Sequence, residues 1–427
     1  MNVILHRIVT GKPAGEPTRQ EVMRNAIRFV FDDRIVQLEF TEARVIRPST
    51  TVLNWLRSIP FHKGAKEGCA EGDCGACTVV LAEAGPGGQL VYRTVNSCLL
   101  FLPMLHGRQL ITIENLAYSK ERKTVLHPVQ KELISASGSQ CGYCTPGVVM
   151  SLFGLYKNHQ DPPREVITDA LTGNLCRCTG YRSILDAAHA SCRGDGRDQF
   201  TLYEPVVTGM LREITASDET LVLSAAGQVY FKPFTLAEAL RLKAENPGAV
   251  VISGNTDTAV QQNKKMEFLP GIIDISAVSE LAYFRETVEG YEIGAGLPLE
   301  QLRLKTRECL PSLHDMLGVF GSLQIRNMAT LGGNLASASP IGDCLPLLMA
   351  YGAQINLKSA GGSRTVAMEE FIAGYRKTVL NADELIVSVF VPRPGPGTVI
   401  FSRKVSKRRD LDISTVSAGF RLELEEG

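Results

Sequence analysis

Eight of the eleven cysteines fall into two quartets, Cys69, Cys74, Cys77 and Cys98, then Cys141, Cys144, Cys176 and Cys178. In the first, Cys-x4-Cys-x2-Cys is followed by a distant fourth cysteine, the spacing by which four thiolates hold one [2Fe-2S] cluster. Gly64, Gly68, Gly72 and Gly75 crowd that loop. Glycine reaches positive φ without steric cost, so backbone N–H groups can close on the sulfurs. Zinc also takes four thiolates, but structural zinc sites pair two short knuckles, whereas three ligands here sit within nine residues and the fourth stands alone. The second quartet is Cys141-Gly-Tyr-Cys144, a 31-residue gap, then Cys176-Arg-Cys178. A Cys-x-Cys pair is an unusual zinc knuckle, so spacing favours a second cluster, with a zinc scaffold as the rival.

Two further constellations suit an anionic nucleotide. The apolar run Val250 to Ile252 leads through Ser253 into Gly254-Asn255-Thr256-Asp257-Thr258, which would present successive N–H groups to a phosphate. It is not Gly-x-Gly-x-x-Gly, so a Rossmann domain is not supported. Alone it reads as an ordinary turn. The second, Gln324 to Asp343, combines Gly332 and Gly333 with Thr330, Asn334, Ser337 and Asp343 in a stretch too polar for core. The glycines would allow close approach to a ligand, the hydroxyls can donate to phosphate and Asp343 can accept from ribose.

The elements that carry these residues follow from periodicity. Short strands are expected at Ile27–Phe31, Val36–Phe40, Cys77–Leu81 and Val91–Val95, with a brief helix at Thr51–Arg57. Apolar residues then recur at helical spacing around Val129, Val148, Val166 and Ile184, which predicts four short helices. Pro128, Pro146 and Pro163 suit first turns, and Cys144 and Cys178 lie just ahead of helix N-termini, whose partial positive charge favours an anionic cluster. Further on, Leu236–Glu245 reads as a helix and Ala249–Ser253 as a buried strand; strand order beyond is not legible. The resulting class is α+β multidomain: an N-terminal extension over 1–24, a β-grasp, plant-type ferredoxin-like [2Fe-2S] domain over 25–105, a four-helix [2Fe-2S] domain over 106–192, an exposed linker over 193–228 and a mixed α/β FAD-binding domain over 229–427.

With 427 residues, two to four domains are expected. The 45 basic and 45 acidic residues cancel, which gives no footprint for nucleic acid or an anionic membrane. No stretch approaches the roughly 20 apolar residues of a membrane span. Thiolate ligands must stay reduced until iron arrives, which favours the cytoplasm.

Taken together, Glu67-Gly-Cys-Ala-Glu-Gly-Asp-Cys-Gly-Ala-Cys77, Gln140-Cys-Gly-Tyr-Cys-Thr-Pro-Gly147, the Gly254-Asn-Thr-Asp turn, Gln324-Ile-Arg-Asn and Gly332-Gly-Asn…Ser339-Pro-Ile-Gly-Asp343 resemble the iron–sulfur and flavin portion of the molybdenum hydroxylases of the xanthine dehydrogenase family, over about residues 26–427. The resemblance implies two [2Fe-2S] clusters, the first quartet holding the one distal to molybdenum, and FAD. Val251, Ile252, Ser253, Gly254, Asn255, Thr256, Asp257 and Thr258 would then wrap the pyrophosphate and Phe320 would lie beside the isoalloxazine. Thr330, Gly333, Asn334, Ser337 and Asp343 would hold ribose and phosphates, and Ile386 and Lys404 would complete the pocket. Taken by themselves, Phe320 and Ile386 read as core packing. No side chain is expected to act as acid or base. It further implies an electron-transfer subunit that works with a molybdopterin-binding large chain, as two small and two large subunits, and delivers electrons from hypoxanthine or xanthine to NAD. Aldehyde- or heterocycle-oxidising and dioxygen-reducing relatives would look alike in this portion. The family continues beyond the position where this chain stops, so the C-terminal part of the flavin domain is expected to be missing.

Overall fold

The computed structural model describes residues 25–41, 46–121, 123–217 and 219–424. The N-terminal extension over 1–24 lies outside them.

The first unit is built on a five-stranded mixed sheet. Its order is Arg34–Glu39, Ala26–Phe31, Gln109–Ile111, Thr78–Ala84, Leu90–Asn96, and only the Ala26–Phe31 and Gln109–Ile111 pair is parallel. The first hairpin turns through Asp32 and Asp33, both at positive φ, the handedness that matches strand twist in a two-residue loop. The helix Val52–Ser58 starts where Thr51 accepts a 3.2 Å bond from the Asn54 N–H, and it buries Trp55 against Phe29 and Phe31, with ring centroids 5.6 and 5.4 Å away. The strand Gln109–Ile111 joins this sheet, so the boundary expected at 105/106 falls too early.

Four helices follow where helical spacing places them: Pro128–Ser135, Thr145–Asn158, Arg164–Leu171 and Arg182–Ser191. Cys144 is the N-cap of the second. Cys178 stands farther back, since Tyr181 at φ 67° precedes the last helix. Thr145–Asn158 is buried along most of its length and lies on the first sheet; a Cβ at Gly154 would meet the Thr94 methyl at 2.4 Å. Val30, Val80 and Tyr92 of the sheet share one core with Val148, Leu152 and Phe153.

The expected linker over 193–228 is instead ordered structure. It contains the helix Gln199–Ile214 and the strand Leu221–Ala225. Asp198 caps the helix by accepting from Thr201 N at 2.8 Å, and the same carboxylate binds buried His127 and Lys157, each at 3.0 Å. Phe200, Val207, Leu211 and Ile214 face the core, while Leu202, Tyr203 and Val206 are exposed. Apolar residues on both faces, with Pro205 inside, erase the amphipathic signal.

The last unit begins at Leu221, earlier than the expected 229. Its four-stranded sheet runs Val250–Ile252, Gly271–Asp274, Gln228–Lys232, Leu221–Ala225, parallel except for the final pair. Beneath it Lys232 Nζ and Tyr230 OH bond the fully buried Asp274 at 2.6 and 2.7 Å. A second, antiparallel sheet runs Phe284–Glu286, Gly290–Gly294, Leu385–Pro392, Gln354–Ser359, Gly362–Ala367, and packs with helices that include Pro311–Gly318 and Cys344–Tyr351. The ribbon Thr398–Val405 and Val416–Glu423 lies against those two helices.

Candidate iron–sulfur and flavin site

The structure brings each cysteine quartet together, and within each the sulfurs pair two by two. Cys77 Sγ lies 3.3 Å from Cys98 Sγ, and Cys69 pairs with Cys74. In the second quartet Cys141 pairs with Cys178 and Cys144 with Cys176. All are free thiols. Among the described residues no three Cys, His, Asp or Glu side chains converge as one metal ion would require. Two pairs per quartet are what two irons bridged by sulfide need, and a single tetrahedral zinc would draw all four sulfurs to one point.

Charge and backbone support the same reading. Cys69 Sγ accepts from the N–H groups of Asp73 and Cys74, each at 3.3 Å, and of Glu71 at 3.5 Å. The Cys74 thiol beside it and these N–H groups bring Cys69 down to about 5. The Cys98 thiol likewise lowers Cys77, and Asn96 Nδ2 stands 3.8 Å from the Cys77 sulfur. Burial works against Cys176, yet the Thr179 hydroxyl at 3.2 Å and neighbouring N–H groups hold it at about 7. Thiolates are the ligating form. Gly72 and Gly75 take φ of +82° and +68°, as the loop's curvature demands.

The two quartets lie side by side. Leu175 N–H donates to the Cys74 carbonyl at 3.0 Å, which joins the neighbour of Cys176 to a member of the first quartet. A Cβ on Gly75 would meet the Gly173 carbonyl at 2.0 Å, and one on Gly147 would meet the Gly75 carbonyl at 2.1 Å, so no other residue allows this approach.

On its other side the first quartet meets the Gly254 segment. Asn255, at φ +60°, donates through Nδ2 to the Leu99 carbonyl at 2.9 Å, and Asn263 donates to the carbonyls of Cys98 and Ala70, each at 2.9 Å. Val251 and Ile252 are strand residues that end in Ser253. Gly254 packs against the Met328 backbone, where a Cβ would fall 2.0 Å from the carbonyl oxygen, so the 251–258 and 328–337 segments adjoin. Asp257 N-caps the helix Thr258–Lys265 and accepts from Arg376 at 3.3 Å; Thr256 and Thr258 are half-buried beside it.

Thr330 caps the short helix Leu331–Ala336 by accepting from Gly333 N at 3.1 Å, and Ser337 donates to the Asn334 carbonyl at 2.9 Å. Gly333 is exposed and open, but Gly332 is not a ligand contact, because its missing Cβ makes room for Ala295. The Asn334 amide oxygen is buried without a partner, as is that of Asn255; both are acceptors that a bound nucleotide's donors would satisfy. Phe320, Asp343 and Lys404 come together: Lys404 Nζ donates to the Val319 carbonyl at 3.0 Å and to Asp343 at 2.9 Å, and Ser414 fills the other Asp343 oxygen. Asp343 thus has both oxygens occupied by protein, in contrast to the expected ribose contact. Ile386 shares the apolar core against which Phe320 packs.

The expectation that residues 324–343 are too polar for core is corrected at two positions. Gln324 and Arg326 are 1 % and 0 % exposed, and their polar groups are satisfied across unit boundaries by Ser151, Asn174 and Asp169. Sequence reasoning missed these partners, and Asn263 and Leu99 too. Of them only Asn174, two residues before Cys176, carries a positional hint.

Comparison with known proteins agrees with this assembly. Residues 112–189 match the family model described as a [2Fe-2S] binding domain, and residues 222–394 match the FAD binding domain in molybdopterin dehydrogenase. The chain is 34% identical to a xanthine dehydrogenase of Drosophila subobscura over 88% of its own length and 32% of the relative's. It is 34% identical to a xanthine dehydrogenase/oxidase of Gallus gallus over 90% and 33% respectively, and 31% identical to aldehyde oxidase 1 of Macaca fascicularis over 90% and 32%. It therefore spans about a third of the length of these curated relatives. Two matched domains, paired thiols and an adjoining nucleotide segment place this chain in the molybdenum hydroxylase family, as its iron–sulfur and FAD-binding portion.

Proposed function

We propose that this chain is the electron-transfer subunit of a xanthine dehydrogenase, working with a molybdopterin-binding large subunit in the cytoplasm and passing electrons from hypoxanthine or xanthine to NAD. The observation that carries the reading is one unbroken line of contact, from the Cys176 loop through the Leu175 to Cys74 hydrogen bond to the first quartet, and from Cys98 and Leu99 through Asn263 and Asn255 to the Gly254 turn. When bound, two [2Fe-2S] clusters and FAD supply the one-electron and two-electron chemistry. Cys69, Cys74, Cys77 and Cys98 would hold one cluster, and Cys141, Cys144, Cys176 and Cys178 the other. Residues 251–258, Thr330, Gly333, Asn334 and Ser337 would seat the nucleotide of FAD, while Asp343 and Lys404 shape the wall beside Phe320 and Ile386. The chain's residues bind, orient and insulate these groups. The mixed sheet around the first quartet supports a β-grasp reading of that unit, and the four helices around the second support a separate cluster domain.

The aldehyde oxidase relative favours a second reading, the same role with a different oxidised substrate, because substrate choice would lie in the partner chain. Both readings share one test. The chain alone, loaded with FAD, should reduce an artificial dye with NADH and show no xanthine turnover until a molybdenum-binding partner is added. Xanthine turnover by the single chain would overturn the split-subunit reading. Turnover of an aldehyde but not of xanthine by the assembled complex would select the second.

A further inference from the structure

The helical turn Leu323–Arg326 sets Gln324 and Arg326 two residues apart, both wholly buried. Gln324 Nε2 donates to Ser151 Oγ and to Asn174 Oδ1, each at 3.0 Å, and Ser151 also donates to Asn174 Oδ1 at 2.6 Å. Asn174 Nδ2 in turn donates to the Gly75 carbonyl at 3.2 Å and to Thr78 Oγ1 at 3.3 Å. The amide lies directly on the loop backbone: a Cβ at Gly173 would stand 2.2 Å from Gln324 Oε1. Arg326 forks onto Asp169 at 2.7 and 2.8 Å and reaches Glu300 at 2.6 Å through Nε. One turn of the flavin unit thus grips both ends of the 169–174 segment. That segment leads straight into Leu175 and Cys176.

Burying a guanidinium and an amide is costly unless every group is paired, and a helix packed on the iron–sulfur units by apolar contact alone would avoid that cost. Directional bonds fix a register where apolar packing tolerates sliding. We propose that Gln324 and Arg326 are positioning residues that set the electronic coupling between the two cysteine quartets. They do so by holding the 169–176 segment where the Leu175 N–H stays bonded to the Cys74 carbonyl. That hydrogen bond completes a connection, otherwise covalent, between a member of one quartet and the neighbour of Cys176 in the other. The proposal rests on the reading of both quartets as [2Fe-2S] sites, and it gives Gln324-Ile-Arg-Asn a role apart from the flavin.

Gln324→Leu keeps the bulk and removes the amide, Arg326→Lys keeps the charge and removes the fork, and Ser151→Ala is a milder cut in the same network. Hydrogen exchange in peptides covering 172–178 should quicken roughly tenfold in Gln324→Leu and less in Ser151→Ala, with peptides from Leu385–Pro392 unchanged. In the reduced protein both iron–sulfur EPR signals should persist, while the splitting that each imposes on the other shrinks in the same order. Arg326→Lys should restore the splitting in part relative to Arg326→Ala. Unmutated exchange rates, or faster exchange with undiminished splitting, would overturn the positioning role. Absence of iron signals from the unmutated chain would overturn the cluster reading itself, and that failure is visible before any variant is made.

Discussion

At the scale of single residues, the decisive feature is that each thiol has a defined neighbour. Cys178 pairs with Cys141 alone, so Cys178→Ser should remove one of two reduced-state EPR signals and leave the other intact. Loss of both signals would show that the quartets are not separate sites. Asp343 behaves differently from the expectation for a ribose ligand. Because it neutralises the buried Lys404 ammonium, Asp343→Ala should lower stability by about 3–5 kcal/mol, the range for stranding one partner of a buried pair, and flavin retention should fall with it. Chemical denaturation reads the first effect, and an unchanged midpoint would mean the pair carries no load. Asp198 gives a pH signature. Burial opposes its ionisation, but His127, Lys157 and the Thr201 N–H outweigh it and hold the carboxyl at about 2. A carboxyl depressed below its unfolded value of about 3.9 contributes stability that is complete above that pH and is lost as pH falls through the folded value. The stability gap between the unmutated chain and Asp198→Asn should therefore be constant above pH of about 4 and close towards about 2. A gap that stays constant down to that acidity would contradict the assignment.

At the scale of elements, the places where backbone meets backbone set the arrangement. Gly147→Ala would push a methyl into the Gly75 carbonyl, at the contact that brings the helix Thr145–Asn158 to the first cysteine loop. This substitution should destabilise the protein by about 1–3 kcal/mol, the usual cost of overpacking, and disturb the signals of both quartets together, unlike Cys178→Ser. What the sequence reveals of these elements depends on their length and sidedness. The helices at 128–191 are legible because their apolar residues keep helical spacing and proline marks their starts. The strand Gln109–Ile111 is too short to show alternation, and Gln199–Ile214 is apolar on two faces with a proline inside, so neither leaves a periodic trace. Gln324 and Arg326 read as surface because polarity alone does not report burial. Their partners Ser151, Asn174 and Asp169 lie some 150 positions or more away, beyond the reach of local pattern.

At the scale of the whole molecule, three units share cores and hydrogen bonds rather than trailing from one another. The core of the first sheet runs on into Leu223, Tyr230 and Ile252 of the flavin unit, and the stretch expected to be a linker is a helix packed on the iron–sulfur units. Among the described residues no helix is long and apolar enough to cross a membrane. The cysteine spacing was enough to expect two iron–sulfur sites, since ligand geometry is written locally. The adjacency of those sites to the Gly254 turn was not, because it depends on Asn255 and Asn263 reaching carbonyls of a distant loop. The central claim, that this chain carries two binuclear clusters and a flavin in one line, is tested most directly by metal and flavin analysis of the anaerobically purified chain. The expected content is about four iron, about four labile sulfide and about one FAD per chain, with negligible zinc. Iron near zero, with about two zinc per chain in its place, would contradict it.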